Sequence, residues 1–265
     1  MRAVARLCTL ASGSTGNSTY ISASSGDILI DAGISCRALL SAISNVGGDI
    51  TKLRAVAVTH SHADHIKGLK TLLSKVKVPL VASSQTLEYL SAQNIIPADT
   101  KVICAENGSI DFGNIALDFF ETSHDSTGSG GYVVTLSDAR RVAVCTDLGV
   151  MTDAVRQKLL GCEAVLIESN HDVEMLKHGP YPAQLKLRIL SDKGHLSNNA
   201  CAAELPALVK SGTTRIILGH LSRENNTPIL ARSAARATLA AVGAVCDKDY
   251  ILNVAKPKTP EVTVF

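Results

Sequence analysis

From Val58 to Gly68 the chain reads VTHSHADHIKG, so His60, His62, Asp64 and His65 put four potential metal donors into six positions. Neutral imidazoles and carboxylates are the ligands that borderline and harder divalent ions prefer. His60 and His62, alternate residues where an apolar strand runs out, can converge on one point. Asp64 and His65 enter the first turn of a helix and face a second point close by. A lone histidine at a strand end is usually an ordinary hydrogen-bonded residue, but this density of donors is a metal-site signal.

Donors of the same kind close other apolar runs. DILID ends at Asp31, IALDFFETSH at His124, RRVAVCTD at Asp147 and RIILGH at His220, while AVLIES holds Glu168. Groups of these types gathered at neighbouring strand ends are suited to holding divalent ions. Asp31 taken alone also fits a turn aspartate ahead of Gly33.

These groups need elements that bring them together. Near-continuous apolar strands indicate sheets covered on both faces, and loops at the carboxyl ends of such strands carry the sites of open α/β sheets. Between them ADHIKGLKTLLSK, SSQTLEYLSAQN, TDAVRQKLLG and SNNACAAELPALVKSG space apolar residues three and four apart, which predicts helices. The last would be capped by Ser197 or Asn198. VARLCTL, STYISA and DILIDAG read as short strands joined by Ser/Gly turns, and GAVCDKDYILNVA as a hairpin. Each half of the chain runs strands and then strand–helix units, a pattern of two half-sandwiches rather than one Rossmann sheet. No linker, low-complexity tract or clear repeat interrupts 1–265, so one domain is expected.

Composition narrows the partners. With 46% hydrophobic residues over 265, the chain can bury a large core. A formal net charge of +2 gives no overall basic field, so a nucleic-acid partner has to be argued from a local face, for which Lys67, Lys70, Arg223 and the segment with Lys186, Arg188 and Lys193 are candidates. Aromatic residues at 3% and no Trp leave little for stacking single-stranded bases. Seven scattered cysteines without a CxxC pair fit reduced core thiols. No run approaches a membrane span, and MRAVARLCTL has too short an apolar stretch for a signal peptide, so a cytoplasmic protein without a membrane partner is expected.

LASGSTGNSTYI, LIDAGIS, THSHADHIKGL, IESNHD, GHLSNN and LGHLSRENNTP, spread over nearly the whole chain, resemble the metallo-β-lactamase superfamily and closely resemble its bacterial YycJ/WalJ branch. The resemblance implies an α/β fold, a four-layer αβ/βα sandwich with a dinuclear site along one edge. It makes His60, His62 and His124 the ligands of one metal and Asp64, His65 and His220 those of the other, with Asp147 bridging. Asp31 would support the histidine loop from behind. The ions could be zinc, manganese or iron. Glu168 and His195 resemble the carboxylate–histidine pair of the tRNA-processing and β-CASP nucleases, His195 touching the phosphate or protonating the leaving oxygen and Glu168 orienting it. Asp64, Glu168 and His195 form the expected catalytic set.

Ser14, Asn17, Asn198 and Arg223 are expected at the substrate. The loop SGSTGNS could present hydroxyls and N–H groups to a phosphate, or be a plain β-turn. Arg223 could hold a second phosphate or pair with Glu224, and His171, Asp172 and His178 could form the site rim or a solvated surface. About 20 residues separate Asp147 from Glu168 and about 27 separate Glu168 from His195, which leaves no room for a β-CASP insertion. The YycJ/WalJ branch implies a nuclease working from the 5′ ends of DNA. The alternatives are a small-molecule phosphodiesterase, a β-lactam or thioester hydrolase, and a non-catalytic metal-binding protein. Oligomeric state is left open.

Overall fold

The computed structural model describes residues 4–265; Met1, Arg2 and Ala3, the start of the segment read above against a signal peptide, lie outside it. The first sheet is built from β1 (Arg6–Ala11), β2 (Ser18–Ala23), β3 (Gly26–Ile30), β4 (Leu53–Ala57), β5 (Leu80–Ala82) and β6 (Val102–Cys104). The second takes β7 (Ile110–Asp111), β8 (Ile115–Glu121), β9 (Gly130–Leu136), β10 (Arg141–Cys145), β11 (Ala164–Glu168), β12 (Arg215–Gly219) and β13 (Ile251–Val254). A last strand, β14 (Glu261–Val264), returns to pair antiparallel with β1.

Strand order is β14-β1-β2-β3-β4-β5-β6 in one sheet and β13-β12-β11-β10-β9-β8-β7 in the other. Each follows the same plan. An antiparallel meander (β1 to β3, and β8 to β10) passes into parallel strands (β3 to β6, and β10 to β13). The parallel strands need crossovers, and helices supply most of them.

These helices are α1 (Cys36–Asn45), α2 (Ala63–Ile66), α3 (Leu69–Lys75), α4 (Ser84–Ala92), α5 (Asp153–Leu159), α6 (Val173–His178), α7 (Ala183–Leu190), α8 (Asn198–Lys210) and α9 (Pro228–Ala241). Ser35, Ser83, Thr152, Asp172, Ser197 and Thr227 cap α1, α4, α5, α6, α8 and α9 by accepting from backbone N–H groups of the first turn, which otherwise lack partners.

Three apolar clusters bind the layers. Ile28, Ile30 and Ala57 meet Tyr132, Val144 and Leu166 between the sheets. Leu29 and Val56 pack outward on Leu39, Leu69 and Leu72, and Ala143 and Ile167 pack outward on Val155, Leu205 and Leu239. The result is a four-layer αβ/βα sandwich. Strands β3 and β11 are buried along their whole length, as continuous apolar runs require.

One expectation is corrected. GAVCDKDYILNVA is not a hairpin: only an isolated bridge joins Cys246 and Tyr250, and Ile251–Val254 pairs in parallel with β12 instead. The apolar ILNV gains more by extending a buried sheet edge than by folding on the polar DKD turn.

Candidate metal centre

The donor groups collect where the carboxyl ends of β3 and β4 meet those of β8, β10, β11 and β12. Three of them share an unusual backbone: Asp31, Asp147 and His220 have φ of 63°, 60° and 55°. That left-handed conformation costs a non-glycine residue on the order of 1 kcal/mol or more, and it turns each side chain off the end of its strand toward the seam between the sheets.

Behind the histidine loop, Asp31 accepts from the Thr59 N–H and the Thr59 hydroxyl, both at 2.8 Å, and from His65 Nδ1 at 2.7 Å. His65 Nε2 is thereby aimed at the seam. The loop is also laced to the end of β3 through its backbone: Asn17 N–H donates to Asp64 O, Ala32 N–H to His65 O and Gly68 N–H to Ala32 O. Gly33 is wedged beneath, where a Cβ would stand 1.6 Å from Asp64 O.

Two groups of donors result. His60 Nε2 lies 3.1 Å and His124 Nε2 3.4 Å from His62 Nδ1, three imidazole nitrogens turned toward one another. Asp64, His65 and His220 form a second group of ligand atoms within 4.8 Å of each other. Asp147 stands between: its carboxylate is 3.9 Å from His124 Nε2, 3.4 Å from His65 Nε2 and 3.5 Å from His220 Nδ1.

Asp147 Oδ2 and His220 Nε2 are buried without a hydrogen-bond partner among the described residues. Buried polar atoms are almost always satisfied, so unpartnered atoms facing converging lone pairs mark a cradle suited to a cation. The donor set fits divalent metal.

Glu168 is the hub of the other wall. Fully buried, it takes His195 Nδ1 at 2.9 Å and His220 Nδ1 at 2.7 Å on one oxygen, and the Leu148 and Leu196 N–H groups on the other. Burial pushes its carboxyl up, but the two imidazoles outweigh that and hold it well below the usual range. Burial likewise pushes Asp64 up and His65 down. The His220 contact and the neighbouring imidazoles nonetheless lower Asp64 to about 2, and the Asp31 and Asp147 carboxylates raise His65 to about 9.

The expected substrate residues are placed unevenly. Ser14 is exposed beside the centre's loop, whereas Asn17 is buried, taking the Gly13 N–H on its oxygen and donating to Asp64 Oδ2 at 3.0 Å. Asn198 is buried in a reciprocal amide pair with Asn226 and accepts from Ser169, so both its amide nitrogen and its oxygen have partners in the interior. Arg223 is exposed, and no ion pair to Glu224 is present among the described residues. His171 is buried rather than on the rim, Asp172 caps α6, and His178 is exposed.

Three residues were not singled out from the sequence as part of the site. Thr59, directly ahead of His60, contacts Asp31, His60 Nδ1 and His65 Nδ1, and its place before the histidine array was a usable signal. Asn170 donates to the His220 carbonyl. Asp125, next to His124, lies 3.3 Å from His124 Nε2 and bonds Arg188.

Comparison with known proteins adds the following. A family model described as Beta-lactamase superfamily domain matches residues 27–221. The chain is 36% identical over 254 residues, covering 95% of each chain, to Exodeoxyribonuclease YycJ of Bacillus anthracis. It is 36% identical over 225 residues, covering 84% of this chain and 83% of the relative, to Exodeoxyribonuclease WalJ of Streptococcus pneumoniae. Among solved structures, the metallo-beta-lactamase fold protein YhfI from Bacillus subtilis matches with TM-score 0.70 at 16% identity, covering 99% of this chain and 100% of that one, a likeness of fold.

Proposed function

Because the chain belongs to the β-lactamase superfamily, in the branch of the YycJ and WalJ exodeoxyribonucleases, we propose that it is a two-metal phosphodiesterase removing nucleotides from the 5′ ends of DNA. The observation that carries the reading is His195. Its Nδ1 is fixed by Glu168, and its ring lies 5.1 Å from that of His124 and 5.3 Å from that of His220, between the two donor groups.

Two divalent cations, held by His60, His62 and His124 and by Asp64, His65 and His220 with Asp147 between them, would acidify a water and stabilise charge on the phosphate. Zinc, manganese and iron all suit this donor set. The remaining work falls to the chain's own groups. Glu168 locks the His195 ring with Nδ1 as donor and leaves Nε2, which has no recorded partner among the described residues, for the leaving oxygen. Burial pushes His195 down, but the Glu168 carboxylate outweighs it and raises its pKa, so a proton is available. Asn17 and Asp31 hold Asp64 and His65 in place, and Ser12 Oγ takes the His220 N–H at 2.8 Å. Ser14, Arg223 and the exposed lysines of the rim would meet the DNA backbone, which binds through charge.

No helix of the described residues is long and apolar enough to cross a membrane. All seven cysteines are free, which supports a reducing, cytoplasmic setting.

The test is hydrolysis by metal-defined protein of 5′-labelled duplex DNA, single-stranded DNA, RNA and bis-p-nitrophenyl phosphate, with His195→Ala alongside. We expect DNA to be shortened from its 5′ end, and His195→Ala to lose roughly 10²- to 10⁴-fold on DNA but much less on the nitrophenyl ester, whose leaving group needs little proton assistance. Preference for RNA, or turnover of the small ester alone, would overturn the DNA assignment. Full DNA activity in His195→Ala at wild-type metal content would remove its carrying observation.

A further inference from the structure

We propose that Arg188 grips the substrate phosphate next to the one being cut, and that Asp125 is the positioning residue that aims it. The proposal rests on the phosphodiesterase reading and states how that site would tell a polynucleotide from a small ester.

Helix α7 buries only Ile189, and Arg188 stands about half exposed beside it. Its Nε bonds one oxygen of Asp125. The other oxygen of that carboxylate is 3.3 Å from His124 Nε2 and 3.9 Å from His62 Nε2. The guanidinium is therefore held one carboxylate away from the first histidine group.

Neither Nη1 nor Nη2 has a partner among the described residues. A guanidinium tethered through Nε with both terminal nitrogens free is a ready fork for two phosphate oxygens. Stability does not account for the arrangement, since a half-exposed ion pair adds little to folding.

Beside the pair opens a cavity of about 500 Å³, lined by His124, Asp125, Thr127 and Lys193 among others, with Glu121 the other acid in its wall. Lys193, exposed and without a partner among the described residues, brings a cation to its wall, while Arg188 stands next to it through Asp125. An oligonucleotide with one phosphate at the histidines has its next phosphate to offer these cations. Bis-p-nitrophenyl phosphate has none.

The experiment compares the metal-loaded full chain with Arg188→Ala, Arg188→Lys, Asp125→Asn and the Arg188→Ala/Asp125→Asn double variant. The substrates are a 5′-labelled DNA oligonucleotide and bis-p-nitrophenyl phosphate, over a range of salt, with metal content measured for each protein. Arg188→Ala is expected to lower the ratio of kcat/KM on DNA to that on the small ester by roughly tenfold or more, chiefly through KM, and to flatten the salt dependence by about one unit of slope. Arg188→Lys should restore the slope but only part of the KM. Asp125→Asn should move the ratio the same way by less, with no further loss in the double variant.

A ratio and slope unchanged in Arg188→Ala overturn the proposal. So does a proportional fall on both esters with loss of metal, or loss of metal in Asp125→Asn, which would make that carboxylate a ligand. A wild-type chain that cuts neither ester defeats the parent reading as well. One that cuts both, with the ratio intact in Arg188→Ala, defeats this proposal alone.

Discussion

Single residues in this site do more than their types announce. Glu168 reads in the sequence as an orienting partner for His195, yet its one oxygen also receives His220, tying the proposed proton donor and a proposed metal ligand to the same atom. His171, three residues on, is the opposite case. It is 1% exposed, and both ring nitrogens lack partners among the described residues. Burial lowers its pKa from 6.5 to about 4, so it folds neutral. Between those two values the unfolded chain binds a proton that the folded chain refuses, and stability falls as pH drops through that window. We expect the chelated wild type to lose up to about 3 kcal/mol more than His171→Asn between pH 7 and pH 4. Urea unfolding of both proteins across that range checks this, since contributions from the metal-facing groups cancel in the difference. Parallel curves would mean that the imidazole titrates normally.

At the scale of elements, the donors were legible because ligand chemistry demands particular residue types and strand ends are where sheets present them. What the strand ends do next was not. The left-handed turn at Asp31, Asp147 and His220 is a backbone conformation, and nothing in their side-chain types requires it. The close approach at Gly33 is likewise a matter of two segments meeting. A Cβ there would collide with Asp64 O, and the neighbouring Asn17 N–H that Asp64 O accepts stands 2.6 Å away. Gly33→Ala should therefore displace Asp64 and weaken the second donor group while sparing His60, His62 and His124. We expect metal analysis after dialysis to show the loss of about one ion of the two proposed, with the circular dichroism of the fold retained. Undiminished metal would show that the loop relaxes without moving the carboxylate.

Over the whole molecule, the apolar cluster between the sheets takes side chains from both, so neither half can lose its layer without stripping the other. We propose that residues 1–265 form one domain and unfold as one unit. Calorimetry of the chelated chain should show a single transition with equal calorimetric and van't Hoff enthalpies, and two resolved transitions would divide it. The near-neutral charge fits this picture of a catalytic sandwich whose cations act locally, at the rim, rather than as a field. The order of apolar runs, the donors closing them and the absence of room for an inserted domain were all determined by the sequence, because periodicity and residue type are local properties. The tertiary structure alone decided which donors share an oxygen, that ILNV joins β12 rather than its own turn, that Asn198 faces inward, and that Arg188 reaches Asp125 across 63 residues. Each of these depends on how two sheets and their loops pack in space, and contacts between segments so far apart in the chain leave no spacing pattern to read.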